Sequence, residues 1–314
     1  MIQYLVILLD KTSIAYCHSD NPSTERELMP LDVLRKAIRL GMRENMMIQY
    51  VYPDYDLPKE YEEVIESIDH VKIGHDIEVL TTVPTSAKGK SLVLRLRYAE
   101  MTKARYEIAA LLPDVNRLNI TITDIEDFDD SKNEEYTATL ELWSKVLLQA
   151  YKEGKQPQFN LLTDRIKLKE MHNCGAGVSN ITLAPNGKFY LCQAFYFAEL
   201  RGENNHLNHQ FKNCNYAVGD IDNGIDIPNQ QLLRLDHAPL CHICDAYHCH
   251  RCIYLNQKLT WDNNTPSHQQ CLMAHLERNA ARNLMLKMKA EGMAIDNDIK
   301  AIDYLDPFEV KEEY

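Results

Sequence analysis

Residues 241–252 read Cys241-His242-Ile243-Cys244-Asp245-Ala246-Tyr247-His248-Cys249-His250-Arg251-Cys252, four cysteines spaced C-x2-C-x4-C-x2-C. Thiolates two residues apart in a tight turn can point at one metal centre, and that geometry serves zinc and iron–sulfur sites alike. Upstream, Cys174, Gly187 and Cys192 follow C-x12-G-x4-C; Cys271 lies downstream, and Cys214 falls in the gap. The runs 181–184 and 189–192 flank Pro185-Asn186-Gly187, a hairpin signal that would bring Cys192 back beside Cys174. A final helix is predicted from about Gln270 to Glu291, stopping at Gly292. Cys271 then sits at its opening, where the positive end of the helix dipole favours a thiolate.

The rest of the chain contrasts with this region. Of nine cysteines only Cys17 falls within residues 1–173, and eight of twelve histidines lie between 206 and 275. The 314 residues are 45% apolar and 25% charged, within the globular range. A net charge of −12 argues against a nucleic-acid binder, which would need a basic face. The opening run Tyr4–Leu9 is too short for a signal segment, and no stretch reaches membrane-span length, so a cytoplasmic protein is expected. In that reducing setting, cysteines serve as metal ligands or free thiols rather than disulfides.

Residues 1–165 read as strands alternating with helices. Ile2–Leu9 is a continuous apolar run, as buried parallel strands are, and Met47–Tyr52 is a second strand. Between them Pro30 opens a helix with Leu31, Leu34, Ile38 and Met42 on one stripe. Further strands are expected at 77–82, 92–95, 118–123 and 158–162, and helices at 98–112 and 135–152. Such alternation implies right-handed βαβ units around a parallel sheet, as a partial (β/α) barrel or an open sheet. The expected division is an α/β domain at 1–165, a cysteine-rich domain at 166–292 and an acidic tail at 293–314.

The cysteine pattern resembles the SPASM domain, the auxiliary-cluster domain of peptide-modifying radical S-adenosylmethionine enzymes. That family reads C-x(9–15)-G-x4-C, a gap, C-x2-C-x5-C-x3-C, a gap, and a last C. Seven cysteines match in order with the glycine in place, while the intervals Cys244–Cys249 and Cys249–Cys252 are each one residue shorter. The resemblance implies a degenerate partial (β/α) barrel of radical S-adenosylmethionine type, followed by a SPASM-like hairpin and helix. It further implies two [4Fe–4S] clusters. Cys241, Cys244, Cys249 and Cys271 would hold one; Cys174, Cys192 and Cys252 would hold the other, with Cys214 a candidate fourth ligand. Residue chemistry alone leaves a zinc knuckle open, assisted by His242, His248 or His250.

Enzymes of that superfamily bind their catalytic cluster through C-x3-C-x2-C after the first barrel strand. The corresponding loop here, Lys11–Met29, offers Cys17-His18-Ser19-Asp20 and no other cysteine. One thiolate cannot hold that cluster, and Val51-Tyr52-Pro53-Asp54-Tyr55 lacks the glycines of the cosubstrate-binding strand end, so no S-adenosylmethionine is expected. Cys17 reads as a plain loop thiol, and the acidic run Asp124–Asp130 as a solvated loop and helix cap. The whole chain also resembles the CXXX repeat peptide maturases, through Tyr4–Asp10 with Cys17-His18 and through Ile48–Pro58. That resemblance implies a maturase subunit acting with a separate radical S-adenosylmethionine enzyme on a cysteine-repeat precursor peptide. A zinc-stapled docking scaffold and a stand-alone peptide-modifying enzyme are the alternatives. No Ser-His-Asp order, phosphate loop or carboxylate pair singles out catalytic residues, and the oligomeric state stays open.

Overall fold

The computed structural model describes residues 2–167, 174–203, 216–242, 244, 246, 249 and 251–299. In chain order the elements are β1 (Tyr4–Leu8), α1 (Leu31–Arg43), β2 (Met47–Val51), α2 (Lys59–Ile65), β3 (His70–Ile73), β4 (Ile77–Leu80) and β5 (Ser91–Leu96). Next come α3 (Tyr98–Lys103), α4 (Arg105–Leu111), β6 (Arg117–Ile122), α5 (Asn133–Lys152), β7 (Gln158–Phe159) and α6 (Thr163–Lys167). The remainder comprises β8 (Asn180–Leu183), β9 (Phe189–Tyr190), α7 (Gln193–Leu200), β10 (Gly219–Asp220), β11 (Gly224–Ile225), α8 (Ile253–Thr260) and α9 (His268–Ala290). They fall into two compact units.

The first unit comprises Met1–Val79, Gly175–Ala238 and Trp261–Asn264. Its strands run in the order β4-β3-β2-β1-β8-β9, parallel except for β9. Leu5 and Ile7 of β1 pair with Ile48 and Tyr50 on one side and with Ile181 and Leu183 on the other. Because side chains alternate along a strand, this register puts all six on one face, where they form the centre of the core. Burying each such Leu or Ile contributes roughly 1.5–3 kcal/mol. Helix α1 covers that face with Leu34, Ala37 and Ile38. Gly41 permits the approach, since a Cβ there would stand 2.7 Å from Ile48 Cδ1. Met42, expected on the same stripe, is exposed instead; 3.6-residue spacing carries it around to the solvent side once Ala37 and Gly41 define the buried line. The β8–β9 hairpin turns on Gly187 at φ +75°, which Gly adopts without a Cβ penalty.

The second unit comprises Leu80–Cys174, Pro239–Thr260 and Thr265–Tyr314. Its strands β5-β6-β7 are parallel, with Leu92, Leu94 and Leu96 beside Leu118, Ile120 and Ile122. Helix α5 buries Tyr136, Leu140, Trp143 and Leu147 and packs along α9. The single helix expected over 98–112 is two, α3 and α4, separated at Ala104. Trp143 Nε1 donates to the Arg105 carbonyl beside that break at 2.9 Å. Helix α2 and strand β3 were not expected from the sequence, being short and, in β3, only partly buried. No helix among the described residues is long and apolar enough to cross a membrane.

Candidate metal centre

The second unit gathers the cysteines of residues 241–249 against the start of α9. Ser267 caps this helix, its side chain accepting from Gln270 N, which satisfies one of the free amides of the first turn. Cys271 and His275 stand one helical turn apart and so share a face of α9. The facing loop turns at Cys241, whose carbonyl accepts from Cys244 N at 3.1 Å. Cys241, Cys244, Cys249 and Cys271 then line one narrow cavity of about 20 Å³, together with Arg251 and His275.

Donors point at the sulfurs. Ala246 N lies 3.3 Å from Cys244 Sγ, and Arg251 N lies 3.4 Å from Cys249 Sγ. His275 Nε2 is 3.4 Å from Cys244 Sγ. Amide hydrogen bonds of this kind stabilise sulfur in its thiolate form and orient metal ligands. Cys252, just before α8, is anchored through its backbone: its N–H donates to Gln270 Oε1 at 3.1 Å, and Gln270 Nε2 donates to Asn256 Oδ1 at 3.0 Å.

Burial pushes the Cys241 thiol up to about 12, helped by the neighbouring Cys249 and opposed by the Arg251 guanidinium. Burial likewise raises Cys249, and the charges of Arg165 and Arg251 work against it. At neutral pH these thiols are therefore protonated until a metal displaces their protons. Arg165 forms an ion pair with Glu277, both almost fully buried, and Tyr136 donates to the other Glu277 oxygen at 2.5 Å. An isolated buried charge would be costly; here each carries its partner.

Among the described residues no three His, Cys, Asp or Glu side chains converge on a single point suited to one ion. Four thiols line the cavity. A cubane cluster takes one thiolate at each of four irons and so asks for sulfurs spread around a volume. The donor set of four cysteines with N–H groups on two sulfurs fits such a cluster.

The remaining expected ligands are placed differently. Cys174 is exposed in the second unit, and Cys192 is at the N-cap position of α7 in the first. Cys214, His248 and His250 lie outside the described residues, and His242 is exposed. Among the described residues the histidine at the cavity is His275, which was not among the expected ligands; its signal is the i, i+4 spacing from Cys271. In the first unit, Cys17 Sγ accepts from Gln193 Nε2 at 3.0 Å. The loop after β1 is held by its own polar groups, with Thr12 donating to Asp10 Oδ1 and Asn21 Nδ2 donating to the Lys11 and Ser13 carbonyls. The acidic run is a loop and cap, with Asp124 accepting from Tyr98 N and Asp129 from Ser131 N.

No protein-family model and no curated protein matches the sequence. Among solved structures the chain is similar to one described as hexahistidine-tagged anSMEcpe with bound AdoMet, at 10% identity. The TM-score is 0.60, and the alignment covers 94% of this chain and 96% of that one. At this identity the likeness is one of fold. It bears out an α/β fold of radical S-adenosylmethionine, (β/α)-barrel-like type with a cysteine-rich C-terminal region.

Proposed function

We propose that this chain is a cluster-carrying maturase subunit that does not initiate radical chemistry itself. It holds one [4Fe–4S] cluster on Cys241, Cys244, Cys249 and Cys271, and the cysteine count supports a second. It works beside a separate radical S-adenosylmethionine enzyme on a ribosomally made, cysteine-repeat precursor peptide. The supporting observation is that four thiols, from a loop and from α9, line one buried cavity. A cluster held there supplies one-electron redox capacity. The chain's own groups orient and shield it: Ala246 N and Arg251 N on the sulfurs, and the Arg165–Glu277 pair in the surrounding core. The missing initiation site rests on the loop Lys11–Met29, with its single cysteine.

A zinc-stapled scaffold is the second reading. It is favoured by the narrowness of the cavity, room for about one water, and by His275 beside Cys244. Metal analysis after anaerobic isolation decides between them. The expected protein is brown, with about eight iron and eight sulfide per chain, and Cys249→Ser should lose about half of that iron. Colourless protein with stoichiometric zinc overturns the cluster reading. The subunit role predicts peptide modification only when chain and radical enzyme are combined, so modification by the chain alone overturns it.

A further inference from the structure

We propose that Arg251 is a positioning residue of the four-cysteine centre: its guanidinium, buried beside Cys241 and Cys249, offsets the negative charge of a thiolate-bound cluster and raises its reduction potential. The inference rests on the cluster reading above. Arg251 is only 3% exposed and lines the cavity with the four cysteines. Its backbone N lies 3.4 Å from Cys249 Sγ. The charge of Arg165 is matched by Glu277. Arg251 thus places a buried cation at the cavity that the four cysteines line.

The physical argument is one of charge in a dry site. A cubane held by four thiolates is an anion, and reduction adds one more negative charge. In a low-dielectric pocket a fixed cation stabilises the reduced state more than the oxidised one, so the potential rises. Arginine suits the task because it stays protonated when buried and presents several donors in a rigid plane. Hydrogen bonds and charges around the ligands are the protein's levers on such potentials.

The test is a redox titration of the anaerobically isolated full chain, followed by visible absorption and by electron paramagnetic resonance. Arg251→Gln should keep the wild-type iron content and show a more negative midpoint potential; Arg251→Lys should recover most of the shift. Lys258→Gln removes an exposed cation of α8 that pairs with Glu126 and should leave the potential unchanged. Equal potentials in Arg251→Gln and wild type overturn the proposal, as does an equal drop in Lys258→Gln. If Arg251→Gln fails to fold, judged by circular dichroism, Arg251→Lys carries the test, and a potential shifted as far as that of a cluster-ligand variant overturns the charge role. Iron lost from both arginine variants with melting unchanged also overturns it. A wild-type chain without iron defeats the cluster reading itself.

Discussion

At the level of single residues, the local grouping of the cavity cysteines was legible and their surroundings were not. Cys241, Cys244 and Cys249 are linked by short covalent spacings, so the sequence places them together whatever the fold does. His275 reaches Cys244 across 31 positions, and Arg165 reaches Glu277 across 112. No periodicity links such partners. The Arg165–Glu277–Tyr136 group supplies a direct test of that buried chemistry. Glu277→Ala leaves a guanidinium buried and unmatched, and should destabilise the protein by about 3–5 kcal/mol in chemical denaturation. Tyr136→Phe removes one hydrogen bond and should cost about 1 kcal/mol. Replacing Arg165 and Glu277 together by Met and Leu should lie nearer to wild type than Glu277→Ala does.

Among the elements, those with strong local signals came out as expected and the short ones did not. Helix α9 has an N-cap at Ser267 and a stop at Gly292 with φ +82°, and its predicted span of about 270–291 agrees with His268–Ala290. The hairpin at Pro185-Asn186-Gly187 likewise formed. By contrast, α2 and β3 span seven and four residues, too few turns or alternations to rise above composition. The break at Ala104 depends on α5 packing, which a linear window does not see. Since α9 carries Cys271, His275 and Glu277, loss of its cap should be felt at the site. Ser267→Ala is expected to lower stability by about 1 kcal/mol in thermal melting. Gly219 has φ +116°, and a Cβ there would meet the Gly224 carbonyl oxygen at 2.1 Å. Gly219→Ala should therefore cost about 1–3 kcal/mol by the same measurement.

For the molecule as a whole, two outcomes follow from the distribution of charge and thiols. Tyr50, Tyr52, Tyr98, Tyr136, Tyr190 and Tyr196 are all shifted upward, with burial the first cause, and Tyr55 is raised to about 12 by burial and then by Asp10. In the unfolded chain these phenols ionise near pH 10. The folded state holds its protons longer, so stability is intact below pH 10 and falls as pH rises through about 12. Far-ultraviolet circular dichroism against pH should show unfolding in that window, and Tyr55→Phe should soften it. With one cysteine in the loop after β1, the reduced chain incubated with S-adenosylmethionine should yield no 5′-deoxyadenosine by chromatography. The sequence by itself determined the inventory of thiols, their local spacing and the alternation of strands and helices, because these are properties of neighbouring residues. Only the tertiary structure decided that Arg251 and His275 stand at the cavity of these thiols, and that Arg165 is matched by Glu277. Those juxtapositions arise where segments distant in the chain are driven together by the burial of apolar surface, and that total is fixed by the whole fold rather than by any one stretch of it.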